Sequence, residues 1–195
     1  MLLNHFNPSP RTPNRRGLIL CILLATAPTF AAENPTPEAL ERGLVGTWAG
    51  ALAYRDYQSN ARFELPVNTR IELGPDGATF TRLSRFDDGP KTGFVHITTV
   101  SLFDKGGAGV THASFRKDRA VEMWREEVRV LTHSGPQDWT LVYHRRGTDG
   151  SQPADIRITQ TRRGDGLTSL KEVKAPDQPD SAYGFRNETL LKRMP

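Results

Sequence analysis

The sequence predicts an all-β protein: an antiparallel up-and-down barrel of about eight to ten strands, preceded by a short N-terminal helical turn. Three observations predict it. Apolar and polar residues alternate over short runs, and Gly, Pro and Asp clusters separate those runs at hairpin spacing. The first run opens on Gly46-x-Trp48-x-Gly50, a large aromatic between two glycines. A meander of that many strands has two raw edges, and closing into a barrel removes them.

The helical signal comes first. Thr36 stands as N-cap, Pro37 at the first helical position, Glu38 in the first turn and Gly43 as the stop. In the first strand, within residues 44–57, alternation puts Trp48, Leu52 and Tyr54 on one face. Its glycines mark places where another backbone or side chain comes close. A polar loop over residues 55–60 follows. Phe63, Leu65, Val67, Thr69, Ile71 and Leu73 then alternate with charged and polar residues, the clearest period-two run in the chain. Pro66 cannot donate to a ladder, so it marks an edge or a bend. A turn at 74–77, a strand at 79–86 and a turn at 87–90 lead to residues 94–103, rich in Val, Ile, Thr and Phe. Three glycines within 104–109 reverse the chain into a strand at 110–115.

Residues 120–131 fit two templates. Val121, Trp124, Val128 and Leu131 suit one face of a helix with Asp118 as N-cap. As a strand, Trp124, Val128 and Val130 share a face with two glutamates between them. Strands on either side favour a strand. Trp139, Leu141 and Tyr143 alternate with Thr140, Val142 and His144 ahead of a turn at 147–153. Ile156 and Ile158, residues 167–173, and Tyr183, Phe185, Thr189 and Leu191 supply the remaining strands.

Residues 1–31 read as a secretory signal peptide: Arg11, Arg15 and Arg16, an apolar run at 18–27, then small residues, with the cut between Ala31 and Ala32. Residues 32–43 are then a spacer and the short helix, and 44–195 the barrel domain. Without those three arginines, 23 basic side chains face 22 acidic ones, a net of +1 against +4 for the whole chain. The basic excess sits mostly in the address segment, so no nucleic-acid partner is expected. The apolar run has about half the roughly 20 residues a membrane helix needs, so the mature chain is expected to have no transmembrane segment. Arg15-Arg16 also fits a twin-arginine export signal, with an ordinary positive start as the plainer reading. Cys21 is the one cysteine and lies inside the signal, which leaves the mature chain without thiol or disulfide. The expected location is periplasmic or secreted.

Chemistry-bearing patterns are sparse. His96, His112, His133 and His144 show no metal-ligand spacing and no H-E-x-x-H, so no metal site is assigned and they read as structural or surface histidines. No G-x-S-x-G elbow exists, and His133-Ser134 reads as part of a turn. Alternating Glu and Arg on strands read as solvated cross-strand pairs. No catalytic residue and no cofactor is assigned, and enzymatic activity is not the expectation. What remains is an aromatic-rich interior: Trp48, Leu52, Tyr54, Phe80, Trp124, Trp139, Tyr143 and Phe185 either line a ligand cavity or simply fill the barrel. The 20 arginines against 6 lysines either place a guanidinium inside to meet an anionic head group or reflect composition alone.

The helical turn, Gly46-x-Trp48 and Arg193 together resemble the entry and exit of the lipocalin and calycin barrels. In that superfamily the Trp closes one end and an arginine from the last strand packs across it, so the resemblance implies that Arg193 covers Trp48. The likeness covers residues 36–54 and the last strand, and the Thr-Asp-Tyr signature of lipocalins is absent. The nitrobindin branch of calycin-like barrels carries haem on a histidine near its C-terminus. No histidine follows His144 here, so no such haem is expected. The resulting expectation is an exported lipocalin-like barrel that buries a small apolar or amphipathic ligand among its aromatics, with polar groups at the mouth. Two alternatives stand beside it: a solid barrel serving as an envelope interaction or inhibitor module, and a small-molecule enzyme at the barrel mouth. Nothing in the sequence fixes the oligomeric state.

Overall fold

Strand β1 (Gly46–Arg55) pairs on one side with β2 (Arg62–Leu73) and on the other with the last strand, β10 (Gly184–Arg193), so the sheet closes on itself. Between them run β3 (Thr79–Asp87), β4 (Phe94–Phe103), β5 (Gly109–Arg116), β6 (Glu122–Gly135), β7 (Asp138–Asp149), β8 (Gln152–Arg163) and β9 (Gly166–Lys174). Every neighbouring pair is antiparallel and consecutive, which makes a ten-stranded up-and-down barrel. Helix α1 (Pro37–Arg42) precedes it, and a four-residue helix α2 (Gly89–Thr92) occupies the expected 87–90 turn. This computed structural model describes residues 35–195 apart from 57, 58 and 60. The expected signal segment and its cut at Ala31 lie outside the described residues.

The fold class matches the expectation, and its causes are local. Thr36 Oγ1 accepts from the Ala39 amide at 3.2 Å, which caps α1 in front of Pro37. Gly43 ends the helix with right-handed backbone angles, so its role there is room. A Cβ on Gly43 would sit 2.9 Å from Arg162 Nη1. In β1, a Cβ on Gly50 would lie 1.9 Å from the Leu190 carbonyl oxygen, so β10 can approach only a glycine. Pro66 pairs with Ala51 of β1, and the β2–β3 ladder starts only at Val67. The proline therefore sits where β2 has a partner on one side.

Residues 122–135 are a strand, which settles the helix-or-strand question. A register shift falls at Leu131, between Val130 and Thr132, and Leu131 is 51% exposed. It is not part of an apolar helix face. His133 and Ser134 also belong to β6 rather than to a turn, with His133 opposite Trp139.

α1 and the chain after it close one end of the barrel. Leu40 and Leu44 join Trp48, Ile71, Trp139, Leu141, Leu167 and Leu191 in one buried cluster. Burying a large apolar side chain contributes roughly 1.5–3 kcal/mol, so this cluster supplies much of the stabilisation of the sealed end. The Trp48 indole N–H donates to the Leu44 carbonyl at 2.8 Å, and the Trp139 N–H to the Pro136 carbonyl at 3.2 Å. Both buried donors are thus satisfied.

Candidate functional site

Alternation decides what the interior contains. On β3 the inward positions are Phe80, Arg82, Ser84 and Phe86; on β4 they are Ile97, Thr99, Ser101 and Phe103; on β6 they are Trp124, Glu126 and Val128. The barrel is therefore apolar at the sealed end and polar in its middle. A cavity of about 250 Å³ lies in that middle layer. Its apolar walls are Ile71, Phe80, Phe103 and Ile158, with Phe80 and Phe103 edge to face at 5.8 Å.

Two polar groupings meet across the cavity. In the first, Glu41 reaches in from α1 and is buried. Its Oε1 accepts from the Tyr143 hydroxyl at 2.8 Å and from the Gln160 amide, and Arg82 Nη2 stands 3.6 Å from its Oε2. A carboxylate taken out of water needs such partners. Burial first, and then the Glu41 charge beside it, push the Tyr143 phenol well above its ordinary pKa of 10.0, so it stays a donor. Arg82 makes no hydrogen bond among the described residues, and its remaining N–H groups are available to the cavity.

The second grouping is built on His112. Its Nδ1 lies 2.8 Å from Ser101 Oγ, and its Nε2 lies 3.3 Å from Glu126 Oε2. The Nε2 contact lacks hydrogen-bond alignment; among the described residues this is the buried side-chain nitrogen or oxygen without a hydrogen-bond partner. Trp124 stacks on the imidazole at 5.0 Å and 23°. Arg145 lies 5.4 Å from the Trp124 ring and donates from Nε to Glu126 Oε1 at 3.2 Å. The ring plane and the carboxylate are each held from behind.

The aromatic residues singled out in the sequence fall into four places. Phe80, Trp124 and Tyr143 line the central cavity. Trp48 and Trp139 are fully buried in the sealed end. Leu52 borders a smaller space of about 130 Å³ toward the opposite mouth, with Leu65, Phe86, Val95, Asp88 and Arg116, and Tyr54 stacks on Phe63 at 5.9 Å. Phe185 is on the outside. A register shift at Arg186 sets Phe185 opposite Glu172, under the Arg62 guanidinium at 5.4 Å. The same shift turns Arg186 toward Asp149, 3.1 Å away, where strict alternation gives it the outer face.

At the sealed end Arg193 pairs with Trp48 in the β1–β10 ladder, its guanidinium 5.4 Å from the indole centre. It donates to the carbonyls of Val45 at 2.6 Å and Gly43 at 3.1 Å. Arg162 adds a second guanidinium 5.9 Å from Trp48 and donates to Gly43 at 2.7 Å. Burial, then the neighbouring Arg193 charge, lower the Arg162 pKa. Two cations at the carboxyl end of α1 also suit its exposed carbonyls.

A wider groove of about 710 Å³ lies on the outer surface beside Tyr183. Within it Asp155 meets Lys174 at 3.4 Å and, from beside the groove, Arg146 at 3.0 Å, and the Arg146 hydrogen bond heads the causes that lower the Asp155 pKa. Among the described residues no group of three or more His, Cys, Asp or Glu side chains is arranged to hold a metal ion. No helix among them is long and apolar enough to cross a membrane.

Glu41, Arg82, Ser101, Glu126 and Gln160 were not singled out in the sequence, and His112 stood there as a structural histidine. A signal existed for Glu126, which shares the face of Trp124 and Val128. Comparison with known proteins adds the fold alone. No family model matches the chain, and no curated protein matches it. The crystal structure of Rv2717c from M. tuberculosis is similar, with a TM-score of 0.57 at 16% identity, over 83% of this chain and 100% of that one.

Proposed function

We propose that this protein is an exported, lipocalin-like barrel that binds one compact amphipathic molecule in its central cavity. The observation that carries the reading is Arg82: a guanidinium inside the barrel, ion-paired at 3.6 Å and otherwise offering its donors to a half-open cavity. Ligand sites combine apolar walls with a few oriented polar groups, and the Phe80, Phe103 and Trp124 walls around Arg82 have that character. Polar groups sit in the middle layer, and a smaller space bordered by Leu52, Phe86, Asp88 and Arg116 lies toward the mouth. At about 250 Å³ the cavity is below the roughly 300–1,000 Å³ of drug-sized sites, which favours a small molecule over a long acyl chain. Its polar end carries acceptor oxygens for Arg82.

Benzoate and benzamidine are compact aromatic probes of opposite charge. Titrated into the full chain while Trp124 fluorescence is followed, benzoate is expected to saturate and benzamidine to bind at least tenfold more weakly. Arg82→Ala removes the benzoate signal. If neither probe saturates, the binding reading is wrong. The second reading, a barrel acting through its outer surface, then leads. It draws on Leu83, Phe115 and Met123, outward residues of β3, β5 and β6 that are 41–72% exposed.

Export and membership of the calycin group rest on the sequence: the Arg-rich start with its short apolar run, and Gly46-x-Trp48 with Arg193. Intact mass of the protein recovered from its host is expected to correspond to a chain beginning at Ala32. A mature species that retains residues 18–27 refutes export by cleavage.

A further inference from the structure

The same cavity holds a chain of groups that binding alone does not use. We infer that Ser101, His112 and Glu126 act as nucleophile, general base and orienting acid in acyl transfer from a compact ester. This goes beyond binding, although it rests on the cavity admitting a small molecule. The three side chains come from adjacent strands β4, β5 and β6, where the ladders set Ser101 opposite His112 and His112 opposite Trp124.

The geometry supplies each role. Ser101 Oγ is 2.8 Å from His112 Nδ1, within reach of proton transfer. If Nδ1 accepts the serine proton, the ring proton is on Nε2, which faces the buried Glu126 carboxylate at 3.3 Å. That contact is loosely aligned, as catalytic hydrogen bonds often are before substrate binds. Trp124 fixes the imidazole plane, and Arg145 fixes Glu126 from behind. Phe80 lies directly opposite Ser101 on β3, and Arg82 is the next inward residue on that strand. An ester carbonyl beside Ser101 thus has an apolar wall for its acyl group and a guanidinium for the charge that develops on its oxygen.

The steps balance without any further reactant but water. Ser101 Oγ bonds to the carbonyl carbon as its proton passes to His112 Nδ1, and the carbonyl electron pair moves onto oxygen. Return of that pair breaks the ester C–O bond, and the leaving alkoxide takes the proton from His112. Water then attacks the acyl carbon and gives a proton to His112. Ser101 Oγ leaves, recovers that proton, and the carboxylic acid departs.

The test uses p-nitrophenyl acetate on the full chain, together with phenylmethylsulfonyl fluoride labelling read by peptide mass. The expected result is a nitrophenol burst stoichiometric with protein and a sulfonyl adduct on Ser101. Ser101→Ala abolishes both and lowers turnover by about 100-fold or more, the scale of general-base catalysis, while its melting temperature stays near wild type. Label mapping on the unaltered protein decides the matter even if the variant fails to fold. Turnover that survives in Ser101→Ala, or an adduct on another residue, overturns the inference. So does saturable benzoate binding with neither burst nor adduct, which leaves the binding reading standing. Absence of all three refutes both.

Discussion

Replacing Arg193 by alanine tests how the barrel is sealed. The guanidinium makes two hydrogen bonds to backbone carbonyls, at 2.6 Å to Val45 and 3.1 Å to Gly43, and lies 5.4 Å from the Trp48 ring. Hydrogen bonds from a charged donor contribute about 1.5–3 kcal/mol each when well buried. Here the side chain is only half buried, so water replaces part of each loss. Arg162 also still donates to Gly43 at 2.7 Å, and removing Arg193 relieves the like charge that depresses the Arg162 pKa. With those offsets the two bonds contribute about 1 kcal/mol, and the cation–π contact adds roughly 0.5–1 kcal/mol. Arg193→Ala is therefore expected to destabilise by about 1–2 kcal/mol, read as a fall in the urea midpoint at unchanged m-value. A double-mutant cycle with Trp48→Phe isolates the ring contact. Losses that add to within about 0.3 kcal/mol would show that the guanidinium and the indole are energetically independent. Gly46 offers a cross-check, since its φ is +140° and an added Cβ would meet Arg193 Nη2 at 2.9 Å. Gly46→Ala should cost less in the Arg193→Ala background, because only the backbone strain remains.

Three further outcomes are expected. Gly50→Ala forces a Cβ against the Leu190 carbonyl and should cost about 3 kcal/mol, the upper end of overpacking, with loss of amide protection in β1 and β10 first; a near-neutral melt would refute the close approach. Tyr143→Phe takes one donor from the buried Glu41 and should cost about 1–3 kcal/mol at neutral pH. The folded-state phenol titrates above 10.0, so it holds its proton after the unfolded chain has lost one. The wild type should lose stability as pH rises above about 10, a slope that Tyr143→Phe reduces and that urea melts at pH 8–11 can measure. The Asp76 carboxyl is held down to about 2 against 3.8, first by the Thr79 hydroxyl and then by the Ala78 and Thr79 amides. Its contribution is present above 3.8 and lost as pH falls toward 2. Thr79→Val should move the carboxyl's NMR titration midpoint upward, and an unchanged midpoint would dismiss the hydroxyl as the main cause.

Strands were legible in this sequence because a half-buried sheet imposes period two, and the run from Phe63 to Leu73 shows it plainly. Bulges were not legible. The shifts at Leu131 and Arg186 each insert one residue without any marker in composition, and everything beyond them changes face. Strict alternation carries Phe185 into the interior, and the shift at Arg186 puts Phe185 outside. The sealed end was readable for the opposite reason. Gly46, Trp48, Gly50 and Arg193 are each tied to one steric or stacking demand that few other residues meet.

The cavity resisted reading because its polar groups obey the same alternation as surface ones. Arg82 follows Phe80 and precedes Phe86 at even positions, so parity alone puts it inside. The ordinary rule that charges on strands face water puts it outside. Only closure of the sheet makes parity win, since a barrel gives every even position of β3 the same interior. Glu41 had no periodicity to betray it, because α1 is six residues long and only its docking over the barrel end shows which side is buried. Glu41, brought inside by docking, and Glu126, brought inside by parity, each carry an arginine and a second partner: Arg82 with Tyr143, and Arg145 with His112. Fully apolar filling of the same positions would leave fewer buried charges to neutralise and a simpler core. An interior that keeps both groupings, with Arg82 ion-paired beside the cavity and His112 Nε2 buried without an aligned partner, is the feature on which the proposed binding rests.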